Sequence, residues 1–213
     1  MYHLVHIKRN KMKLLTKTAT ALTLALSLTL SATAGESLIP YTSVKDAKGE
    51  VKKIYDEVKG AFGIVPAPIQ QHSVNPALLK NLWDMFKAES NPNFSQKLTA
   101  IMRMSVANAP KLECDYCIGF NEGMLMNMFK MELKEIQAIK KDPNNAKLEP
   151  KDKKMLMFMV DSTTKPKEID KARIDELKKL GWSDKDIFDG LKMATQMVAM
   201  TLMVDTLKIS RDF

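Results

Sequence analysis

The sequence has very few of the residues that most often hold metals or haem: two cysteines and three histidines among 213 residues. A c-type haem needs a histidine directly after the second cysteine of a C-x-x-C motif, but here Ile118 follows Cys117. A structural zinc site needs four nitrogen or sulfur ligands, and beyond residue 34 the chain offers only Cys114, Cys117 and His72. The sequence therefore excludes a c-type haem and argues against structural zinc. In the leading interpretation we expect no resident metal or cofactor.

Strand signals are also lacking, because apolar and polar residues rarely alternate and β-branched residues are not clustered. A thioredoxin-like site needs C-x-x-C at a strand–helix junction, so the lack of strand signals excludes that kind of site as well. Apolar residues recur instead at helical spacing, and Ser43, Pro76, Gly181 and Ser183 occupy positions typical of helix ends. We predict an all-α, compact multi-helix bundle, with a loop at 64–75 and helices at 43–63, 76–89, 94–109, 114–130, 131–141, 150–164, 168–181 and 182–209.

The first 34 residues contain no acidic residue, and their basic residues precede an apolar run from Thr18 to Leu30 and an A-x-A motif at Ala32 to Ala34. This order is typical of a secretory signal peptide. The apolar run has roughly 13 residues, whereas a membrane span needs about 20. We predict a cleaved signal peptide at 1–34, a mature domain at 35–213 without a stable membrane span, and secretion, most simply to the periplasm. The basic residues of this leader are Lys8, Arg9, Lys11, Lys13 and Lys17.

The charge balance offers no sign of nucleic-acid binding. The chain has 33 Lys and Arg residues against 25 Asp and Glu residues, and five of the basic residues lie in the leader. In the remainder, basic and acidic residues are interspersed, as on solvated helix faces. We therefore expect no nucleic-acid partner and one domain with a core of its own.

The two cysteines form the segment "CDYC" at the start of a predicted helix. Amides at a helix N-terminus stabilise a thiolate, and a disulfide in so small a loop would add little to stability. Both facts favour redox chemistry. Because exported cysteines are often oxidised, an inert structural disulfide in a non-catalytic helical oligomer remains the alternative. Asn121 lies one turn after Cys117, Glu113 precedes Cys114, and no histidine is close in the chain to act as a base.

The last predicted helix is apolar around most of its surface between Met193 and Val204. A helix of this kind is buried on several sides. In a chain of this length, such burial suggests contact with a second copy of the chain as well as with its own domain. We therefore predict a homo-oligomer.

Methionine is abundant, with 16 residues. Thioether sulfur is a ligand for Cu(I), so a Cu(I)-binding protein with Cys114 and Cys117 as further ligands is one hypothesis. Methionine also fills irregular gaps in helical cores, and its spacing here follows the predicted buried faces, so we favour packing. The clusters are Met124, Met126, Met128 and Met131; Met155, Met157 and Met159; and Met193, Met197 and Met200.

Three segments, in order, resemble one known family. "MRMSVANAPKLECDYCIGFNEGML" resembles the core of the alkylhydroperoxidase D-like branch of the carboxymuconolactone decarboxylase superfamily. "FGIVPAPIQQHSVNPALLKNLWDMF" is similar to the lead-in of that family, and the segment 148–194, which contains "GWSDKDI", is similar to its C-terminal half. The resemblance covers residues 38–208, nearly all of the predicted mature chain.

The resemblance implies an all-α fold, obligate trimers or hexamers, and a Cys114–Cys117 pair that cycles between dithiol and disulfide. A thiol reductant or a disulfide partner protein would complete the cycle. In that family a histidine four residues after the second cysteine and a glutamate on the preceding helix move protons. Asn121 stands at the histidine position, and the predicted helix 94–109 has no acidic residue.

These departures weaken one activity more than another. An amide cannot act as a base, so the resemblance implies thiol–disulfide exchange more firmly than efficient peroxide reduction. We expect Cys114 and Cys117 to react, Asn121 to orient a thiol or a water, and Glu113 to take part in proton transfer. The substrate, and which cysteine attacks first, stay open at this point.

Overall fold

The computed structural model describes residues 37–213, so the signal peptide predicted at 1–34 lies outside the described residues. Within 37–213 the chain forms nine α-helices, three short 3-10 turns and no strand, which confirms the all-α prediction. The helices are α1 (Gly49–Phe62), α2 (Ala67–Gln71), α3 (Pro76–Ala88), α4 (Gln96–Ala107), α5 (Asp115–Asn127), α6 (Leu133–Lys141), α7 (Pro150–Thr164), α8 (Lys171–Lys179) and α9 (Asp184–Leu207).

Several helix ends follow the chemistry seen in the sequence. Pro76 occupies the first turn of α3, and the side chain of Asn75 caps that helix. Gly181 follows α8 with a φ of 89°, a conformation that glycine adopts easily. Ser183 and Asp186 form a capping box at the start of α9, which satisfies backbone N–H groups that would otherwise lack partners.

Two local predictions were wrong. Ser43 does not cap α1, because the helix begins six residues later at Gly49, whose φ of 55° is left-handed and interrupts a right-handed helix. The segment 64–75, predicted as a loop, contains α2 and a 3-10 turn at His72–Val74. Pro66 and Pro68 permit this because the fixed φ of proline suits the first turn of a helix.

A main hydrophobic core joins α4, α5, α7 and α9. Its fully buried side chains include Leu98 and Met102 of α4 and Met155 and Met159 of α7. Burying one such side chain stabilises the fold by about 1.5–3 kcal/mol. Met155 and Met159 therefore serve as core residues, as predicted, whereas Met128 is exposed.

A second hydrophobic cluster joins α1, α2 and α3, with Val58 and Leu79 fully buried. Met200 of α9 packs against both clusters. The boundary between the two clusters is important because the candidate site lies there.

Within residues 37–213, α9 is the one helix whose length and composition would suffice to cross a membrane. The same helix packs against α4 and α7 and buries Met193, Ala194, Thr201 and Val204. A core helix meets the same criteria, so this feature is weak support for a membrane span.

Candidate active site

Cys114 and Cys117 lie at the N-terminus of α5. Cys114 is the N-cap residue, and its Sγ accepts a hydrogen bond from the backbone N–H of Cys117 at 3.2 Å. The preceding loop is fixed by a hydrogen bond of 3.1 Å from the N–H of Cys114 to the carbonyl of Ala107. Both cysteines are free thiols; Cys114 is 0% exposed and Cys117 is 3% exposed.

The two thiols have opposite electrostatic environments. Hydrogen bonds from the thiol and the backbone N–H of Cys117 lower the pKa of Cys114, and together they outweigh its burial. The hydrogen bond to Cys114, together with burial, raises the pKa of Cys117 far above its ordinary value. The hydroxyl of Thr201 on α9 donates to Sγ of Cys117 at 3.7 Å. The backbone N–H that Sγ of Cys114 accepts thus favours the thiolate form at Cys114 over Cys117.

A small cavity of about 80 Å³ lies at the boundary of the two hydrophobic clusters, and Cys117 lines it while Cys114 lies behind. The walls are mainly aromatic and methionine side chains. They include Phe62, Phe86, Phe120, Met193, Met197 and Met200. Of the two cysteines, Cys117 is the one that lines the cavity.

Of Asn121, Glu113 and His72, only Asn121 lines the same cavity as Cys117. Asn121 is 4% exposed and lines the cavity beside Cys117, but its amide donates to the carbonyl of Cys117 at 2.8 Å and so holds backbone rather than a thiol. Glu113 is exposed, has a left-handed φ of 43° and does not line the cavity. His72 donates from Nδ1 to the carbonyl of Pro68 at 2.8 Å and also lies outside the lining.

Four polar residues of this region were not predicted. Thr201 contacts Cys117, and Glu89, Arg103 and Gln196 line the cavity. Burial raises the pKa of Glu89, and burial lowers the pKa of Arg103. Arg103 is the one charged residue between Leu98 and Ala107, so a lone charge in an apolar helix was an available signal.

The C-terminal segment 208–213 lies against the same region. The carboxylate of Asp212 accepts hydrogen bonds from the hydroxyl of Tyr116 and the N–H of Ala67, both at 2.7 Å. Burial and this hydrogen bond raise the pKa of Tyr116, so its hydroxyl stays protonated and donates. Phe213 packs edge-on against Tyr116 and Phe120, which line the cavity.

Comparison of the fold with solved structures identifies its class. A protein from Ralstonia eutropha JMP134, described as an alkylhydroperoxidase AhpD core and an uncharacterised peroxidase-related protein, matches with a TM-score of 0.70 at 15% identity, over 83% of this chain and 92% of that one. An uncharacterised peroxidase-related protein from Silicibacter sp. TM1040 matches with a TM-score of 0.69 at 17% identity, over 82% and 91%. The chain therefore has the fold of AhpD-like helical proteins.

The debrominase Bmp8, as a cysteine-to-alanine variant in complex with 2,3,4-tribromopyrrole, is also similar, with a TM-score of 0.65 at 15% identity over 81% of this chain and 90% of that one. No protein-family model matches the sequence, and no curated protein matches it significantly. Identities this low establish the fold, and the activity must be argued from the site.

Proposed function

We propose that this protein is a thiol oxidoreductase that reduces small hydroperoxides with Cys114 and Cys117. The observation that carries the proposal is a pair of free thiols at a helix N-terminus, where Sγ of Cys114 accepts a backbone N–H and Cys117 lines a mainly apolar cavity. Similarity of fold to peroxidase-related proteins supports it. One water occupies at least about 10–15 Å³ of such space, so a cavity of about 80 Å³ suits hydrogen peroxide or a short alkyl hydroperoxide.

The pair can carry its own base, which offsets the absence of a histidine at position 121. Sγ of Cys117 attacks the distal oxygen of the hydroperoxide while its proton passes to the thiolate of Cys114, the thiol whose pKa is lowered. The O–O bond breaks, the alcohol leaves after gaining a proton from solvent, and Cys117 becomes a sulfenic acid. Cys114 then loses its proton and attacks the sulfur of Cys117, which releases water and forms the disulfide. The hydroperoxide has gained two electrons, and a thiol reductant restores the dithiol.

The setting of this activity is also proposed. The leader-like first 34 residues support export to the periplasm. Exposed apolar side chains on α9, notably Phe188 and Leu202, support assembly into a homo-oligomer. Light scattering of the purified protein would give the number of subunits, and a monomer at all concentrations would contradict the oligomer.

The first test is the reduction potential of the pair. The protein is equilibrated in dithiol buffers, and free thiols are trapped with a mass-tagged reagent. A cycling pair should have a potential of roughly −180 to −230 mV, as in disulfide isomerases and glutaredoxins. A potential below about −300 mV would identify an inert structural disulfide and contradict the proposal.

Two serine variants test the order of attack. Cys117→Ser should abolish oxidation by hydroperoxide, because Cys114 does not line the cavity. Cys114→Ser should still react once, more slowly, and leave a sulfenic acid on Cys117 that a dimedone reagent traps. The opposite pattern would make Cys114 the attacking thiol.

Asn121→His should raise the rate of hydroperoxide reduction, because it places a group that titrates near neutrality beside Cys117.

Cu(I) binding is a second candidate function, favoured by one observation. Met193, Met197 and Met200 line the same cavity as Cys117, so soft sulfur atoms converge there. Titration with Cu(I) against a chelator of known affinity tests it. Tight binding that is lost in Cys117→Ser would support the copper function over redox catalysis, and no binding would remove it.

A further inference from the structure

One oxygen of a buried carboxyl in the thiol cavity accepts no hydrogen bond within the described part of the chain. Glu89, at the C-terminal end of α3, is 8% exposed, and its Oε1 accepts no hydrogen bond. The Nζ of Lys192 lies 3.9 Å from Oε1, which is too far for a hydrogen bond. A buried oxygen without a partner is costly. A ligand that donates a hydrogen bond at this point would therefore be favoured.

Arg103 reaches the same cavity from α4. Its guanidinium carbon lies 5.3 Å from the centre of the Phe86 ring. Within residues 37–213 its nitrogens make no hydrogen bond and no ion pair, although the negative charge of Glu89 is close enough to influence its pKa. A guanidinium has five N–H donors. The cavity thus brings an acceptor that lacks a hydrogen bond and a guanidinium together between walls that are mainly apolar.

We propose that Arg103 and Glu89 bind the –O–OH group of an apolar hydroperoxide and hold it beside Cys117. This inference rests on the peroxide reduction proposed above. The O–H of the hydroperoxide donates to Oε1 of Glu89, and its oxygens accept from the guanidinium of Arg103. The alkyl part lies against the aromatic and methionine walls. A neutral disulfide has neither an O–H donor nor an oxygen acceptor, so it gains nothing from these two residues.

Arg103 also acts on the bond that breaks. When the sulfur of Cys117 takes the distal oxygen, the electron pair of the O–O bond stays on the proximal oxygen as a developing alkoxide. A guanidinium in an apolar site stabilises this charge strongly. The proton that completes the alcohol comes from solvent, through an adjoining cavity of about 370 Å³ that Arg103 and Glu89 also line.

The experiment compares two oxidants on the reduced, full protein. Oxidation of the thiols is followed in a single turnover with tert-butyl hydroperoxide and, separately, with dimethyl disulfide. Arg103→Met should slow the hydroperoxide reaction by about 100-fold, and Glu89→Met by about ten-fold. Neither should change the disulfide reaction. Glu89→Gln should keep most of the hydroperoxide rate, because its amide oxygen still accepts a hydrogen bond.

Arg173→Met is the matched control, because Arg173 is partly buried on α8, pairs with Asp161 and does not line the cavity. It should leave both reactions unchanged. Equal hydroperoxide rates in wild type and Arg103→Met would overturn the inference. An equal fall with both oxidants would also overturn it, because Arg103 would then support the thiols or the fold. If the wild-type protein reacted with dimethyl disulfide but not with tert-butyl hydroperoxide, the proposed peroxide reduction itself would be contradicted. That outcome is distinct from the loss of a role for Arg103.

Discussion

At the scale of single residues, the two thiols differ in their surroundings. Cys114 receives the backbone N–H at the start of α5 and is the thiol whose pKa is lowered, yet it is fully buried. Cys117 faces the cavity but keeps its proton. In the mechanism proposed above, the reactive form arises by transfer of one proton between the two sulfurs. The amide of Asn121 is engaged with the Cys117 carbonyl.

Glu89→Gln should change how stability depends on pH. Burial raises the pKa of Glu89 despite the attraction of Lys192 and Arg103, and Asp189 adds to the rise. A carboxyl with a raised folded-state pKa supports the fold below its unfolded-state pKa, and this support is lost as pH rises through the folded-state pKa. Glutamine avoids that loss. The variant should therefore gain free energy of unfolding at pH 8, and the gain should shrink towards zero below about pH 4.

Urea unfolding of both proteins at the two pH values measures this difference. Glu113→Gln is the control, because Glu113 is exposed and should give a small change at either pH. A gain for Glu89→Gln that is constant with pH, or larger in acid, would mean that Glu89 is not the source of a pH-dependent cost.

At the scale of elements, α9 depends on its first turn. Oγ of Ser183 accepts from the N–H of Asp186 at 3.1 Å, and the carboxylate of Asp186 accepts from the N–H of Ser183 at 3.0 Å. Burial disfavours the Asp186 carboxylate, but hydrogen bonds from Ser183, Asn93 and Asn91 outweigh it and lower its pKa. The cap therefore also ties α9 to the loop between α3 and α4.

Ser183→Ala should lower the free energy of unfolding by about 1 kcal/mol, because the N–H of Asp186 loses its partner. Chemical denaturation measures the change. Ser43→Ala is the matched control, because Ser43 caps no helix and its hydroxyl donates only to the exposed carboxylate of Asp46, so its effect should stay within about 0.5 kcal/mol. Equal effects of the two substitutions would show that the capping box does not stabilise α9.

At the scale of the whole molecule, the segment 208–213 connects parts of the chain that lie far apart in sequence. Asp212 joins the start of α2 to Tyr116 on α5 through two hydrogen bonds. The guanidinium of Arg211 lies over Gly119, where an added Cβ would come within 2.7 Å of it, and pairs with Asp115 on the surface. The segment thus holds α2 and α5 together beside the cavity.

Asp212→Ala should lower the free energy of unfolding by about 2–3 kcal/mol, because Tyr116 and the N–H of Ala67 both lose a charged partner. It should also speed alkylation of Cys117 in the folded protein, since Tyr116 lines the cavity. Asp115→Ala removes the exposed pair with Arg211 and should cost at most about 1 kcal/mol. If Asp212→Ala cost no more than Asp115→Ala, the segment would not stabilise this part of the fold.

The sequence by itself determined the features that depend on neighbours within one or two helical turns. Helical spacing, Pro76 in the first turn of α3, the Ser183 cap, and the placing of Cys114 and Cys117 at one helix start all follow from local interactions. The same local reasoning failed at Ser43, because a left-handed Gly49 outweighed a good capping residue.

Only the tertiary structure decided which sulfur faces the cavity and which polar groups face it. Glu89, Arg103 and Thr201 come from three different helices, and Thr201 is 84 positions from Cys117. No rule of sequence spacing predicts that such residues lie close together, because their contact depends on how two hydrophobic clusters pack against each other. The residues that give this cavity its chemistry were therefore invisible to local patterns, although the thiols were not.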